Sequence, residues 1–165
     1  MDEARRRQCE AAAYLERPLV IERQIREVIE RRQEVEQAGL HGIDYSRSGG
    51  SRSADQTSRT ERLAVKAAEL EEEKEQLLSQ WFDADDANMN VISKVYQLDA
   101  RSALYLSYLY LSGRSMSEIE RLTGYSREYI RQLKNHALLI AYKVISEEEP
   151  DAQAKSGPTS KEALP

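Results

Sequence analysis

The chain predicts an all-α fold: a long two-helix antiparallel hairpin, coiled-coil-like, followed by a C-terminal helix–turn–helix bundle. Three observations carry that expectation. Two long, heavily charged segments each hold one apolar stripe at alternating four–three spacing. Charged residues make up 32% of the chain against 7% aromatics, a ratio suited to long solvated helices rather than a thick core. Finally, the stretch "SMSEIERLTGYSREYIRQLKNHAL", Ser115 to Leu138, is two apolar-periodic runs separated by only "TGYS".

The first helical signal covers about Glu3 to Ala38. Tyr14, Pro18, Ile21, Ile25, Val28, Arg32 and Val35 fall on one stripe, broadened by Leu15 and Ile29. Pro18 lacks a backbone N–H, so the spacing predicts a kink or a helix start there. Gly39 is expected to end the run. Residues 39–58, "GLHGIDYSRSGGSRSADQTS", have no periodicity and are rich in Ser, Gly and Arg, and they predict a flexible loop. A solvated loop is the favoured reading of its arginines over contact with a phosphate backbone.

The second long helix is expected from Ser58 or Thr60 to about Gln97. Leu63, Ala67, Leu70, Lys74, Leu77 and Trp81 share its stripe, and Asp85, Asn88, Ile92 and Val95 continue the phase. A break near Asp83–Asn88 is the alternative to one continuous helix. A helix with one narrow apolar stripe needs a partner, because propensity alone is marginal. The two segments are therefore expected to fold back on each other, with an intermolecular coiled coil as the rival. Trp81 and Phe82 are expected to anchor the long helices to the C-terminal bundle.

After Leu98 the texture changes. "DARSALYLSYLYLSG" is apolar and Tyr-rich, with Asp99 as N-cap and Gly113 as the end. Tyr105, Tyr108 and Tyr110 are read as packing residues rather than a stacking platform for single strands. From Ser146 onward the chain is acidic and aperiodic, and a disordered tail is expected. The domains read as 1–97, 98–146 and a tail at 147–165.

Within the Ser115–Leu138 stretch, Ser115 and Glu118 have the spacing of a capping box. Ile119 and Leu122 are expected to face inward. Gly124 supplies the tolerance of positive φ that a sharp turn needs, Tyr125 follows as an apolar anchor, and Ser126 caps the next helix. Along that helix Ile130, Leu133, Ala137, Ile140 or Ala141, and Val144 recur at core spacing. On the opposite face Arg127, Arg131 and Asn135 form one row, and Glu128 and Gln132 the next. These are the side-chain types that read base edges: Arg pairs with guanine, Gln and Asn with adenine, and Glu accepts from cytosine. They occupy the first turns of a second helix, the part that enters a major groove in a helix–turn–helix. Spacing alone leaves a solvated helical hairpin equally open.

The charge distribution is uneven although the net charge is −5. Residues 69–86 hold eight acids against Lys74, whereas residues 113–143 hold six bases against three acids. The acidic run at Glu69–Glu75 reads as a solvated face. Cys9 is the single cysteine and builds no disulfide framework. The first ten residues, "MDEARRRQCE", hold no apolar signal-peptide core, and no stretch has the apolar length of a membrane span. A cytoplasmic setting and no membrane partner are expected. His41 and His136, two separated histidines, do not make a metal site, and neither metal nor cofactor is expected. Phosphate-binding loops, nucleophile elbows and paired catalytic carboxylates have no counterpart, so an enzyme is not expected.

The segment "YLYLSGRSMSEIERLTGYSREYIRQLKNHAL" resembles region 4 of the sigma-70 family. The whole layout is similar to that of phage late-transcription regulators of the ArpU/RinA type, in which two long charged helices separated by a Ser/Gly-rich loop precede such a domain. The likeness covers about Tyr14 to Val144 in layout and Tyr108–Leu138 in residues. It implies a phage or prophage regulator, in a bacterial cytoplasm, that binds double-stranded DNA with the helix at Ser126–Ile140. Arg127, Glu128, Arg131, Gln132 and Asn135 are then expected to read bases, and Arg114, Ser126, Lys134 and Lys143 to hold phosphates. The long helices are expected to dimerise or to contact RNA polymerase. The competing expectations are a DNA-packaging protein such as a small terminase subunit, and a helical module that binds protein instead of DNA.

Overall fold

The computed structural model describes residues 2–41 and 54–154, with side chains over 2–39 and 59–147. The described chain is all-α. Its helices are α1 (Glu3–Leu15), α2 (Arg17–His41), α3 (Ala54–Leu98), α4 (Ala100–Leu106), α5 (Met116–Thr123) and α6 (Arg127–Ala154), with a π turn at Ser107–Leu111 between α4 and α5. No helix among the described residues is long and apolar enough to cross a membrane. The contacts divide the chain into two units, residues 17–84 and residues 1–16 with 85–165. The division therefore differs from a boundary at 97/98: α1 and the last turns of α3 belong with the C-terminal helices.

In the unit of residues 17–84, α2 starts where Pro18 allows it. Pro18 is the second residue of α2, in the first turn, where a missing N–H breaks no helical hydrogen bond. Along α2 the predicted stripe is the covered one, with Pro18, Ile25 and Val28 buried and Ile21, Arg32 and Val35 half-buried. On α3 Leu70 is buried, and Leu63, Ala67, Lys74 and Leu77 are half-buried. The two stripes meet with opposite chain directions: a Cβ added at Gly39 would stand 4.0 Å from Leu63 Cδ1, Arg32 pairs with Glu71, and Arg31 reaches Glu73 at 3.0 Å. Lys74 and Arg32 both hold Glu71, and the Lys74 hydrogen bond leads in pulling its carboxyl below the usual glutamate range. Each fully buried aliphatic side chain stabilises this pairing by about 1.5–3 kcal/mol. The ion pairs are solvated and contribute little beyond register.

Three expectations are corrected here. Gly39 does not end its helix, which runs on to His41, and α3 begins earlier than Ser58, at Ala54. The expected loop is thus shorter than 39–58, and its remainder, 42–53, lies outside the described residues. Phe82 does not act as an anchor. It makes an edge-to-face contact with the half-buried Trp81 at 5.2 Å, but is itself 61% exposed.

In the other unit α3 continues without a break through Asp83–Asn88 to Leu98. Asn88, Val91, Ile92 and Val95 form its buried face. Asn88 Nδ2 donates to the carbonyl of Leu15 at 2.7 Å, satisfying an acceptor at the C-terminal end of α1. Asp99 caps α4 by accepting from the Arg101 amide at 3.1 Å, as its position predicted, and from the Ser102 hydroxyl at 2.5 Å. Those bonds, Ser102 first, hold the Asp99 carboxyl below its ordinary range. Tyr105 and Tyr110 are buried packing residues. Burial pushes the Tyr105 phenol up to about 12 and raises Tyr110 further. The π turn widens the chain's path before Gly113, at φ +60°, ends the segment.

The tail expectation is also corrected. α6 does not stop at Ser146 but continues to Ala154. Three consecutive glutamates, Glu147 to Glu149, are good helix formers, and extending an existing helix avoids the cost of a new nucleus. Residues 155–165 lie outside the described residues.

Candidate nucleic-acid interface

The site begins with the cap of α5. The Ser115 hydroxyl accepts from the Glu118 amide at 3.3 Å, and Glu118 Oε2 accepts from the Ser115 amide at 2.7 Å, closing the capping box. The Ser115 bonds lead in holding the Glu118 carboxyl below the usual range. α5 ends at Gly124, which adopts φ +70° with nothing within 4 Å of an added Cβ. Only the backbone conformation, not crowding, calls for glycine at this turn. Ser126 then caps α6, its hydroxyl accepting from the Tyr129 amide at 3.3 Å.

Two inward assignments need revision. Ile119 is buried as expected, but Leu122 is 50% exposed. The half-buried Thr123 takes the inner position, and its hydroxyl bonds to the Ile119 carbonyl at 2.7 Å. Tyr125 is not buried: it is exposed and rests edge-on against Tyr129, with ring centroids 4.8 Å apart. Beneath, Tyr105, Ile119, Thr123, Ile130 and Leu133 close over one shared apolar pocket. This packing fixes α5 against α6.

α6 divides by face. Ile130, Ala137, Leu138, Ala141 and Val144 are buried. Arg127, Glu128, Arg131, Gln132 and Asn135 are all exposed, on the opposite face of the first two and a half turns. Three of the five are tied together. Glu128 accepts from Arg131 at 2.7 Å and from Gln132 at 3.4 Å. The Arg131–Glu128 pair is well solvated, with side chains 68% and 59% exposed, so it orders the row at little cost to exchange.

The four residues expected at phosphates do not share one place. Ser126 sits at the start of α6 and is exposed, and Lys134 is half-buried on its side. Arg114 lies before α5, half-buried, beside the Glu118 carboxylate whose charge it offsets. Its Nε is buried without a hydrogen-bond acceptor among the described residues. Lys143 stands apart. It is two turns beyond Asn135 and lines a recess with Asp2, Glu3 and Arg7 of the α1 end. His136 is exposed, with Nε2 3.8 Å from Asp99 Oδ2.

The sequence predicted helix over Glu3–Leu15 but gave no sign that α1 docks on α6. α1 packs along α6, burying Ala11 and Leu15. Gln8 Nε2 donates to the Asn135 carbonyl at 3.3 Å, and the Arg7 guanidinium lies 5.7 Å from the centre of the Tyr142 ring. The available signal was the small-residue run "EAAAY", which permits close helix approach, but its partner 120 residues downstream carries no mark in the sequence. Comparison with protein-family models, with curated proteins and with solved structures finds no match to this chain.

Proposed function

We propose that this protein binds duplex DNA sequence-specifically and regulates transcription, in the manner of the phage late regulators whose layout it resembles. One observation carries the reading: five side chains suited to base edges stand exposed together on the first turns of α6, behind a capped helix and a left-handed glycine turn. A merely solvated helix would be served by any mixture of Lys and Glu. This row instead combines the planar donors and acceptors of Arg, Gln and Asn with a single carboxylate.

In this reading α6 enters the major groove with Arg127, Glu128, Arg131, Gln132 and Asn135 at the bases. Glu128 holds Arg131 extended until guanine replaces it as partner. Ser126, Lys134 and Arg114 meet the phosphates that border the groove, and Lys143 meets a more distant one. The long helices supply dimerisation or a polymerase contact, and the protein acts without catalysis or cofactor in the host cytoplasm.

The test is a salt titration of binding to duplex DNA. The logarithm of the binding constant should fall linearly with the logarithm of salt concentration, by about 0.9 per phosphate neutralised. Three to four such contacts give a slope of roughly −3 to −4. Binding that is absent, or indifferent to salt, rejects the proposal.

A further inference from the structure

We infer that a second copy of this chain docks on the exposed apolar face of the α3–α4 pair, about a two-fold axis, so that the protein dimerises through residues 85–111. The inference does not rest on the DNA-binding reading, and the surface shares no residue with the row on α6.

α3 ends at Leu98 and α4 begins at Ala100, so the two helices are joined through Asp99 alone. Together with the π turn they line one shared recess of about 370 Å³. Met89 and Tyr96 come from α3, Leu104 from α4 and Leu111 from the π turn, and these four are 37% to 65% exposed. Ser93, Ala103 and Ser107 leave the recess its room, because their side chains are short. None of the described residues that line it is charged, in a chain of which 32% is charged. Four large apolar side chains exposed around one recess mark an interaction surface rather than a solvated face. Duplex DNA is not its occupant, since phosphates call for cations and hydrogen-bond donors.

A surface that meets its own copy about a two-fold axis must be complementary to itself. This one is so in shape, since it carries both protruding side chains and the recess that receives them. It is so in charge as well. The turn at Asp99 places Tyr96 and Ala103 at one end of the recess, and Met89 and Leu111 at the other. Asp85 and Asp86 stand one turn before Met89, at the far end. Lys94 precedes Tyr96, and the exposed Arg101 stands one turn before Leu104, at the turn end. The other charges near the two ends are engaged elsewhere: Asp99 by its cap and by His136, and Arg114 beside Glu118. A two-fold axis through the recess exchanges its ends. It therefore sets the acids of each copy against the bases of the other, twice over. An unrelated protein partner calls for neither property.

The experiment is analytical ultracentrifugation of the full chain, without DNA, across a range of concentrations. The wild type should pass reversibly from dimer to monomer on dilution. Leu104→Glu should weaken the dimer roughly thirtyfold or more, since it buries a carboxylate in the apolar recess. Asp86→Arg and Arg101→Glu each bring like charges together at both ends, and each should weaken the dimer about fivefold. The double variant Asp86→Arg/Arg101→Glu restores the pairing in the reverse sense and should return to within about threefold of the wild type. All three positions are exposed, so the variants keep the fold, which unfolding in denaturant checks. A monomeric wild type overturns the inference, as does a dimer that survives Leu104→Glu or a double variant weaker than either single one. A monomer that still binds duplex DNA overturns it and leaves the DNA reading standing.

Discussion

At the scale of single residues, Gly124 and the Glu128–Arg131–Gln132 cluster decide the site. Gly124 is the hinge point of the α5–α6 turn, at φ +70° with open space around it. Replacing it by Ala brings no clash, so the change isolates the left-handed backbone. Gly124→Ala should destabilise the protein by about 1–2 kcal/mol in denaturant unfolding, and Gly124→Asn by less, since Asn tolerates this region. Equal stability of all three would show that the turn is not held as described. The glycine was legible in the sequence because a helix–helix turn this short leaves few residues to supply positive φ. Leu122 was not legible in the same way. Its neighbour Thr123 satisfies its hydroxyl on the Ile119 carbonyl and so occupies the inner position, leaving Leu122 outside. Hydrophobicity alone ranks those two residues the other way.

At the scale of elements, burial follows the side-chain period closely in α2, α3 and α6. The stripe through Pro18, Ile25 and Val28 and the stripe through Leu70, Asn88, Ile92 and Val95 are covered as the four–three spacing predicts. Such periodicity is legible because a helix has one face to hide. Helix ends were less legible. Gly39 lies inside α2, and α6 outruns Ser146, because a helix already nucleated tolerates residues that would not start one. The docking of α1 on α6 could not be read at all, since it depends on which distant surface is left to cover. That packing makes a testable element: Leu15 is fully buried at the end of α1, where its carbonyl also accepts from Asn88. Leu15→Ala should cost about 2–5 kcal/mol of stability, measured by chemical unfolding. A loss below 0.5 kcal/mol, the level of a surface change, would mean that α1 is not packed as found.

At the scale of the whole molecule, an acidic chain presents its basic character locally. The net charge of −5 argues against indiscriminate attraction to nucleic acid, while residues 113–143 and the arginines of α1 carry the excess of bases. Under the proposed function, specific binding would depend on a correct fit of the α6 row, with the remaining charge opposing loose encounters. The row expected to read bases was legible as residue types at helical spacing, and the structure places all five side chains in solvent. The set expected at phosphates was less legible, because Arg114 is half-buried and Lys143 sits two turns from the row. The central claim is that the row from Arg127 to Asn135 reads bases, and selection of bound duplexes from random DNA tests it most directly. The wild type should enrich one short motif. Arg131→Ala should bind that motif about 1–3 kcal/mol more weakly and lose preference at a single base pair. No enrichment by the wild type, or an identical motif and affinity for Arg131→Ala, would contradict the account.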